Sequence, residues 1–158
     1  FFNDIASFSL IAHKIYFMPF SREDSGDTST LTCEGEELVA VCVDAAHGLF
    51  EVLADGSKIR GDVRQEVVVQ ADDSNGLMRE WLRELFARYS ETGMLYSDFE
   101  VFSIQKAGNQ MLLTGTVYGE TIDKERHTVN VGVTLNEKSV SCAEKGGHVT
   151  CRFSLNKQ

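Results

Sequence analysis

No stretch of this sequence holds eighteen consecutive apolar residues, so a transmembrane helix is not expected. The G-x-S-x-G elbow, the phosphate-binding P-loop, the G-x-G-x-x-G fingerprint and the H-E-x-x-H zinc helix are all missing, which removes the commonest sequence signs of catalysis. There is no C-x-x-C pair, so a structural zinc site is not expected. Basic residues are scarce, 15 Lys and Arg against 24 Asp and Glu, for a formal charge of −9. Such a surface displaces few counterions from a phosphate backbone, so direct nucleic-acid binding is not expected either. Acidity suits a divalent cation or a basic protein partner, although plain solubility accounts for most of it. Internal repeats and low-complexity tracts are absent.

What is present fits one folded domain. The chain of 158 residues is long enough for one core and short for two, and its 42% hydrophobic and 25% charged residues argue against global disorder. Residues 1–17 (FFNDIASFSLIAHKIYF) are apolar and aromatic, unlike the acidic stretch that follows. Asn3, Asp4, His13 and Lys14 interrupt them, which a secretory signal would not tolerate. Met18-Pro19-Phe20 reads as a native start, making 1–17 a leader or non-native segment and 18–158 the domain. The competing reading is an N-terminal strand docked on that domain. Nothing points to an oxidising compartment or a membrane, so a cytoplasmic protein is expected.

Residues 21–30 are polar, and Asp24, Gly26 and Asp27 mark a turn or loop, followed by a short strand at 28–34. Leu38, Val41, Cys42, Ala45, Ala46, Leu49, Phe50 and Leu53 recur at steps of three and four, a core helix with Glu36 and Glu37 in its first turn and Asp55-Gly56 as its stop. A strand at 63–71 points Val67, Val69 and Ala71 one way. Asp72, Asp73 and Ser74 are N-cap candidates for a second helix striped by Leu77, Trp81, Leu82, Leu85, Phe86 and Tyr89, with Gly93 as its C-terminal glycine. Strands are expected at 98–106, 110–118, 127–135 and 148–155, and a weaker one at 138–143, with turns at Gly108-Asn109, Asn136-Glu137 and Gly146-Gly147. The fold class is therefore α+β: two amphipathic helices packed on a mixed, largely antiparallel sheet. Helices of this kind cover one sheet face and leave the other wet or covered by partners.

Cys142 and Cys151 flank Gly146-Gly147 symmetrically, so a tight hairpin there sets them opposite each other. Both a disulfide and a pair of reduced thiols fit, and the lack of any other oxidising signature favours the thiols. His47 lies off the first helix's apolar stripe and His148 follows the Gly-Gly turn, so both are expected in solvent. The densest titratable cluster is Asp123-Lys124-Glu125-Arg126-His127. A carboxylate beside an Arg and a His can hold a metal, an anion or a basic partner segment, while the plain alternative is a charged loop leading into a strand. Asp123, Arg126 and His127 are the partner-binding candidates. Asp24, Asp27, Asp72 and Asp73 carry hard oxygen donors but no EF-hand spacing, and loop and cap duties explain each of them.

Three blocks carry a family resemblance. Residues 35–53 (GEELVAVCVDAAHGLFEVL), 77–99 (LMREWLRELFARYSETGMLYSDF) and 118–127 (YGETIDKERH) resemble, in order and spacing, the two helices and the Tyr-Gly-Glu-x-x-Asp-x-x-x-His segment of the archease family. The resemblance implies an accessory protein, not itself an enzyme, that promotes guanylylation and turnover of the RNA-splicing ligase joining tRNA halves. It also implies chaperone-like modulation of RNA-modifying enzymes and a bound divalent cation, usually calcium, held by acidic residues near both chain ends. Here the family's His-Thr-Ala-Asp falls on Ser25, Gly26, Asp27 and Thr28, its C-terminal Leu-Asp on Leu155-Asn156, and its Thr-Tyr-His on Thr134-Leu135-Asn136. The aspartate positions thus read Thr28 and Asn156, which degrades the cation site. Asp27 rescues it only through a one-residue slip, which turns a side chain to the opposite face. The readings that follow are a ligase modulator with a weakened cation site, a protein-binding or assembly domain on the same fold, and, least supported, a metal-dependent enzyme.

Overall fold

The helix expected from the first apolar stripe is α1, Leu38–Ala54, in the computed structural model, which describes residues 20–54 and 58–157. Val41, Cys42, Ala45, Ala46, Leu49, Phe50, Val52 and Leu53 are all buried, so α1 is the central core element. Glu36 and Glu37 precede the helix instead of occupying its first turn, and the Glu37 carbonyl accepts from the Val41 N–H at 3.2 Å. The stop at Asp55-Gly56 and the leader at 1–17 lie outside the described residues. Ser74–Thr92 forms α2, capped by Asp73, whose carboxylate accepts from the Gly76 N–H at 2.7 Å. Gly93 closes α2 at φ 73°, a left-handed conformation that glycine adopts without steric cost. The two helices meet where the Trp81 indole N–H donates to the Cys42 carbonyl at 2.8 Å, both side chains being buried.

The strands are all antiparallel but divide into two sheets, not one. The four-stranded sheet runs β1 (Phe20–Ser25), β2 (Thr28–Gly35), β7 (His148–Asn156) and β6 (Thr134–Lys145). The three-stranded sheet runs β3 (Val63–Ala71), β5 (Gln110–Thr121) and β4 (Met94–Ala107). Each helix touches both sheets. In β7 the residues Val149, Cys151, Phe153 and Leu155 turn inward while their neighbours stay outside, the period-two pattern of a half-wet sheet.

Three segments depart from the sequence expectation. The turn or loop expected at 21–30 is a turn at Gly26-Asp27, but the residues before it form the strand β1 of a β1–β2 hairpin. The strand expected at 127–135 is a loop up to Val133, and β6 runs from Thr134 through the region expected to hold the weaker strand. Asn136-Glu137 is therefore no hairpin turn; it lies where the β6–β7 register shifts between Asn136 and Ser141. Side chains support that irregularity: Ser139 Oγ donates to the Asn136 carbonyl at 2.6 Å and accepts from the Ser154 N–H at 2.7 Å.

The expectation of reduced thiols at Cys142 and Cys151 is also overturned, because the two form a disulfide across the β6–β7 hairpin. Cys33, Cys151 and Cys142 stand directly opposite one another on β2, β7 and β6. Cys33 and Cys42 remain free, and burial pushes both thiols up to about 12. They stay protonated and do not exchange with the neighbouring disulfide, since only a thiolate attacks. Closing a nine-residue separation contributes about 2.5 kcal/mol by loop entropy. Cys142→Ser is expected to lower the unfolding free energy read from urea melts by that amount, while native-state alkylation with iodoacetamide leaves Cys33 and Cys42 unlabelled.

Candidate functional site

The site is built on the end of β5. Glu120 lies in its last two residues with its side chain only 11% exposed, and four donors converge on its carboxylate. The Arg60 backbone N–H donates at 2.6 Å, His127 Nε2 at 3.0 Å, and Arg126 through Nη1 at 3.4 Å and a closer contact from Nη2. Arg126 first, then the Arg60 N–H and His127, hold the Glu120 carboxyl down to about 2. The same carboxylate pushes Arg126 further up.

A single turn of backbone presents Arg126 and His127. The Asp123 carbonyl accepts from the N–H of Arg126 at 3.0 Å and of His127 at 2.8 Å, and Asp123 Oδ1 accepts from the Glu125 N–H at 3.0 Å. That last bond, followed by the Arg126 contact at 3.2 Å, keeps the Asp123 carboxyl below its ordinary range. His127 Nδ1 accepts from the Asp123 N–H at 2.9 Å, so the ring proton sits on Nε2 and points at Glu120. The His127 side chain is 0% exposed, whereas Arg126 is 32% and Asp123 44% exposed. The structure thus brings the three partner-binding candidates together but turns only Asp123 and Arg126 outward. Glu120, within the Tyr118–His127 block, is the hub, and its role is not visible in the local spacing.

The loop is anchored at its far side by Asn130, whose N–H donates to the Leu53 carbonyl at 2.8 Å and whose side-chain amide donates to the Val52 carbonyl at 2.6 Å. These carbonyls belong to the last turn of α1, where no intrahelical donor remains. Between the anchored loop and the end of α2 lies a groove of about 670 Å³. Phe86, Tyr89, Ile122, Val129 and Val131 form its apolar wall, with Lys124, His127 and Thr134 also lining it.

Asp27 does not join this cluster. It is exposed in the β1–β2 turn, where its carbonyl accepts from the Lys157 N–H at 2.6 Å. Thr28, Asn156 and Thr134 stand opposite one another across β2, β7 and β6. The neighbouring carboxylate, Asp24, is engaged by Ser29 Oγ at 2.6 Å, Arg22 at 3.1 Å and Lys157 at 3.8 Å. Asp24, already held by two cations, and the exposed turn residue Asp27, with Thr28, Asn156 and Thr134 neutral around them, do not fit calcium, which takes six to eight oxygens and is held tightly by several charges. No group of three or more His, Cys, Asp or Glu among the described residues is placed to hold a metal.

The other histidines divide. His148 is exposed as expected and meets Glu34 at 3.2 Å. His47 is not in open solvent but half-buried, edge-on to Phe99 with ring centroids 4.9 Å apart, and burial lowers its pKa. No helix among the described residues is long and apolar enough to cross a membrane.

The sequence model of the Archease protein family matches residues 22–154. The protein archease of Sulfolobus acidocaldarius is 34% identical over 125 residues, covering 77% of this chain and 86% of that protein. The protein archease of Methanopyrus kandleri is 32% identical over 91 residues, and that match spans 58% of this chain and 64% of the relative, just under two thirds. The solution structure of protein 1598 from Methanobacterium thermoautotrophicum superposes with a TM-score of 0.70 at 28% identity, covering 89% of this chain and 99% of that one.

Proposed function

The chain belongs to the archease family, and from that membership we propose that it is an accessory, chaperone-like protein that promotes guanylylation and turnover of an RNA-splicing ligase. The observation that carries the reading is the family match over residues 22–154, which includes the whole Glu120-centred loop. An accessory of this kind works by holding its partner's reacting groups in place, so its value lies in fixed geometry and not in a reacting group of its own. The loop suits that role. Glu120 fixes Arg126 and His127 behind it, and the exposed guanidinium and Asp123 stand beside an apolar groove. The ligase contacts RNA, this acidic chain contacts the ligase, and the pair work in the cytoplasm. The test is the rate of guanylylation of the cognate ligase with and without this protein, followed through multiple turnovers of tRNA halves. A several-fold stimulation supports the reading, and none refutes it.

We further propose that the role proceeds without a calcium ion at the Thr28–Asn156 end. The supporting observation is that Thr28, Asn156 and Thr134 are neutral, Asp24 is committed to Arg22, Ser29 and Lys157, and Asp27 is exposed in the turn. Calcium at millimolar concentration is expected to leave the unfolding temperature of the wild type unchanged. The pair Thr28→Asp with Asn156→Asp sets two carboxylates directly opposite each other and is expected to gain a calcium-dependent rise of several degrees. A second reading, an assembly domain that keeps the fold and has left the ligase role, is favoured by the same neutral positions. It predicts ligase binding without stimulation.

A further inference from the structure

Both helices lie on the inner face of the three-stranded sheet; loop residues Arg60, Gly61 and His127 cover the outer face at its Tyr118–Glu120 end, and farther along it Val68 and Phe102 stay exposed. Two of the large exposed hydrophobics stand there together. Val68 on β3 is directly opposite Thr114 on β5. On the other side of Thr114 the β4–β5 register shifts between Val101 and Ser103, so Phe102 is an extra residue turned onto Thr114's face. Val68 and Phe102 are each 59% exposed. The adjacent row is polar, with Thr116 facing Glu66 on one side and Glu100 on the other. Both glutamates are exposed, and Tyr118 donates a hydrogen bond to Glu100 Oε1 at 2.7 Å, which steadies that carboxylate.

Thr116 separates this face from an ordinary acidic patch. It is 1% exposed, and its hydroxyl has no hydrogen-bond partner. Strand alternation and pairing place its side chain on the same face as the two glutamates, so the orphaned hydroxyl lies between them. Buried hydroxyls are ordinarily paired, and one left unpaired beneath two carboxylates marks a position that a donor from outside completes.

We propose that this face docks a basic segment of a partner protein. An Arg or Lys side chain enters between Glu66 and Glu100 over Thr116, and the neighbouring apolar residue of the segment lies on Val68 and Phe102. The cation brings several N–H donors, enough for both carboxylates and for the Thr116 hydroxyl. The formal charge of −9 draws basic partners toward the chain, and the apolar pair gives the encounter a fixed register. This surface is separate from the Glu120 loop, so its test does not depend on ligase stimulation.

The test is an amide chemical-shift titration of the folded protein with a synthetic hexapeptide alternating Arg and Val, its ends blocked. The expected result is saturable shifts confined to Glu66, Val68, Glu100, Phe102 and residues 114–116. Glu66→Gln with Glu100→Gln is expected to weaken binding about tenfold, and Phe102→Ser several-fold, with unchanged unfolding curves. Glu36→Gln with Glu37→Gln removes the same charge elsewhere and is expected to bind as the wild type does. Shifts centred on Val131 and the groove, shifts spread over the whole acidic surface, or equal weakening by both glutamine pairs would each overturn the proposal. Ligase stimulation without localised peptide binding sinks this surface and leaves the proposed function standing; the reverse result does the opposite.

Discussion

Gly119→Ala is expected to abolish cooperative folding or to destabilise the protein by about 4 kcal/mol or more, a loss comparable to the whole stability of many domains. A Cβ at this position would lie 1.9 Å from the Leu95 carbonyl oxygen and 2.8 Å from both the Leu95 carbonyl carbon and the Tyr96 Cα. These are backbone atoms of β4, paired with β5 and packed over a buried Leu95, and they have no rotamer through which to yield. The strands can separate only by losing the ladder bonds on both sides of the register shift between Tyr96 and Asp98. Tyr118→Phe is the matched control, since it removes one bond to an exposed Glu100 and is expected to cost under about 1 kcal/mol. Urea melts of the two variants check the contrast. A Gly119→Ala variant as stable as the wild type would mean that β4 and β5 are farther apart than described.

Glu120→Gln is the second large effect, because it removes the charge on which the loop is built. Arg126, the Arg60 N–H and the His127 ring are left facing a neutral amide that can accept from only one oxygen. The pH dependence identifies the cause. Glu120 is held at about 2 in the folded state against an ordinary 4.5, so the unfolded chain takes up this proton first as the pH falls. Its stabilisation is complete above about 4.5 and is lost between there and about 2. Asp123 and Asp24 are also lowered and contribute in the same direction, so the informative quantity is the difference between wild type and variant. The unfolding temperatures are expected to differ most above about pH 5 and to converge toward about pH 2. A gap that stays constant with pH would assign the loss to packing and not to the carboxylate.

Much of the fold could be read from local chemistry, and what could not was decided by distant pairing. The helix stripes, the Asp73 cap and the Gly93 stop all depend on neighbours within a few residues, and they appear where the periodicity puts them. β1 carries a single buried residue, Phe20, followed by Ser, Arg, Glu, Asp and Ser, so nothing in its own composition distinguishes it from a loop. The segment from His127 to Val133 shows the opposite failure. Its alternation of His127, Val129, Val131 and Val133 imitates a strand, but His127 is turned onto Glu120 while Val129, Val131 and Val133 line a groove, and Val131 is 86% exposed. Asn130 holds the segment against α1 through the Val52 carbonyl, 78 positions away and beyond any local window. The division into two sheets follows from β2 pairing with β7 across most of the chain.

The candidate site was half legible for the same reason. Asp123, Arg126 and His127 are close in sequence and come together through one turn. Glu120 could be placed in the same block, but its role depends on an N–H from Arg60, 60 positions earlier. The burial of His127 follows from that convergence and could not be read from the charged run around it. The spacing of Cys142 and Cys151 about Gly146-Gly147 gave their juxtaposition, because a hairpin fixes register, while the bond itself is chemistry that spacing does not contain.

We propose that this archease works through a loop organised by Glu120 and without a calcium ion at the Thr28–Asn156 end. The most direct measurement is the guanylylation rate of the cognate RNA-splicing ligase in buffer stripped of calcium, with wild-type protein and with folded Glu120→Gln in parallel. The account predicts strong stimulation by the wild type and little or none by the variant. Stimulation that appears only when calcium is restored, or equal stimulation by both proteins, would contradict it.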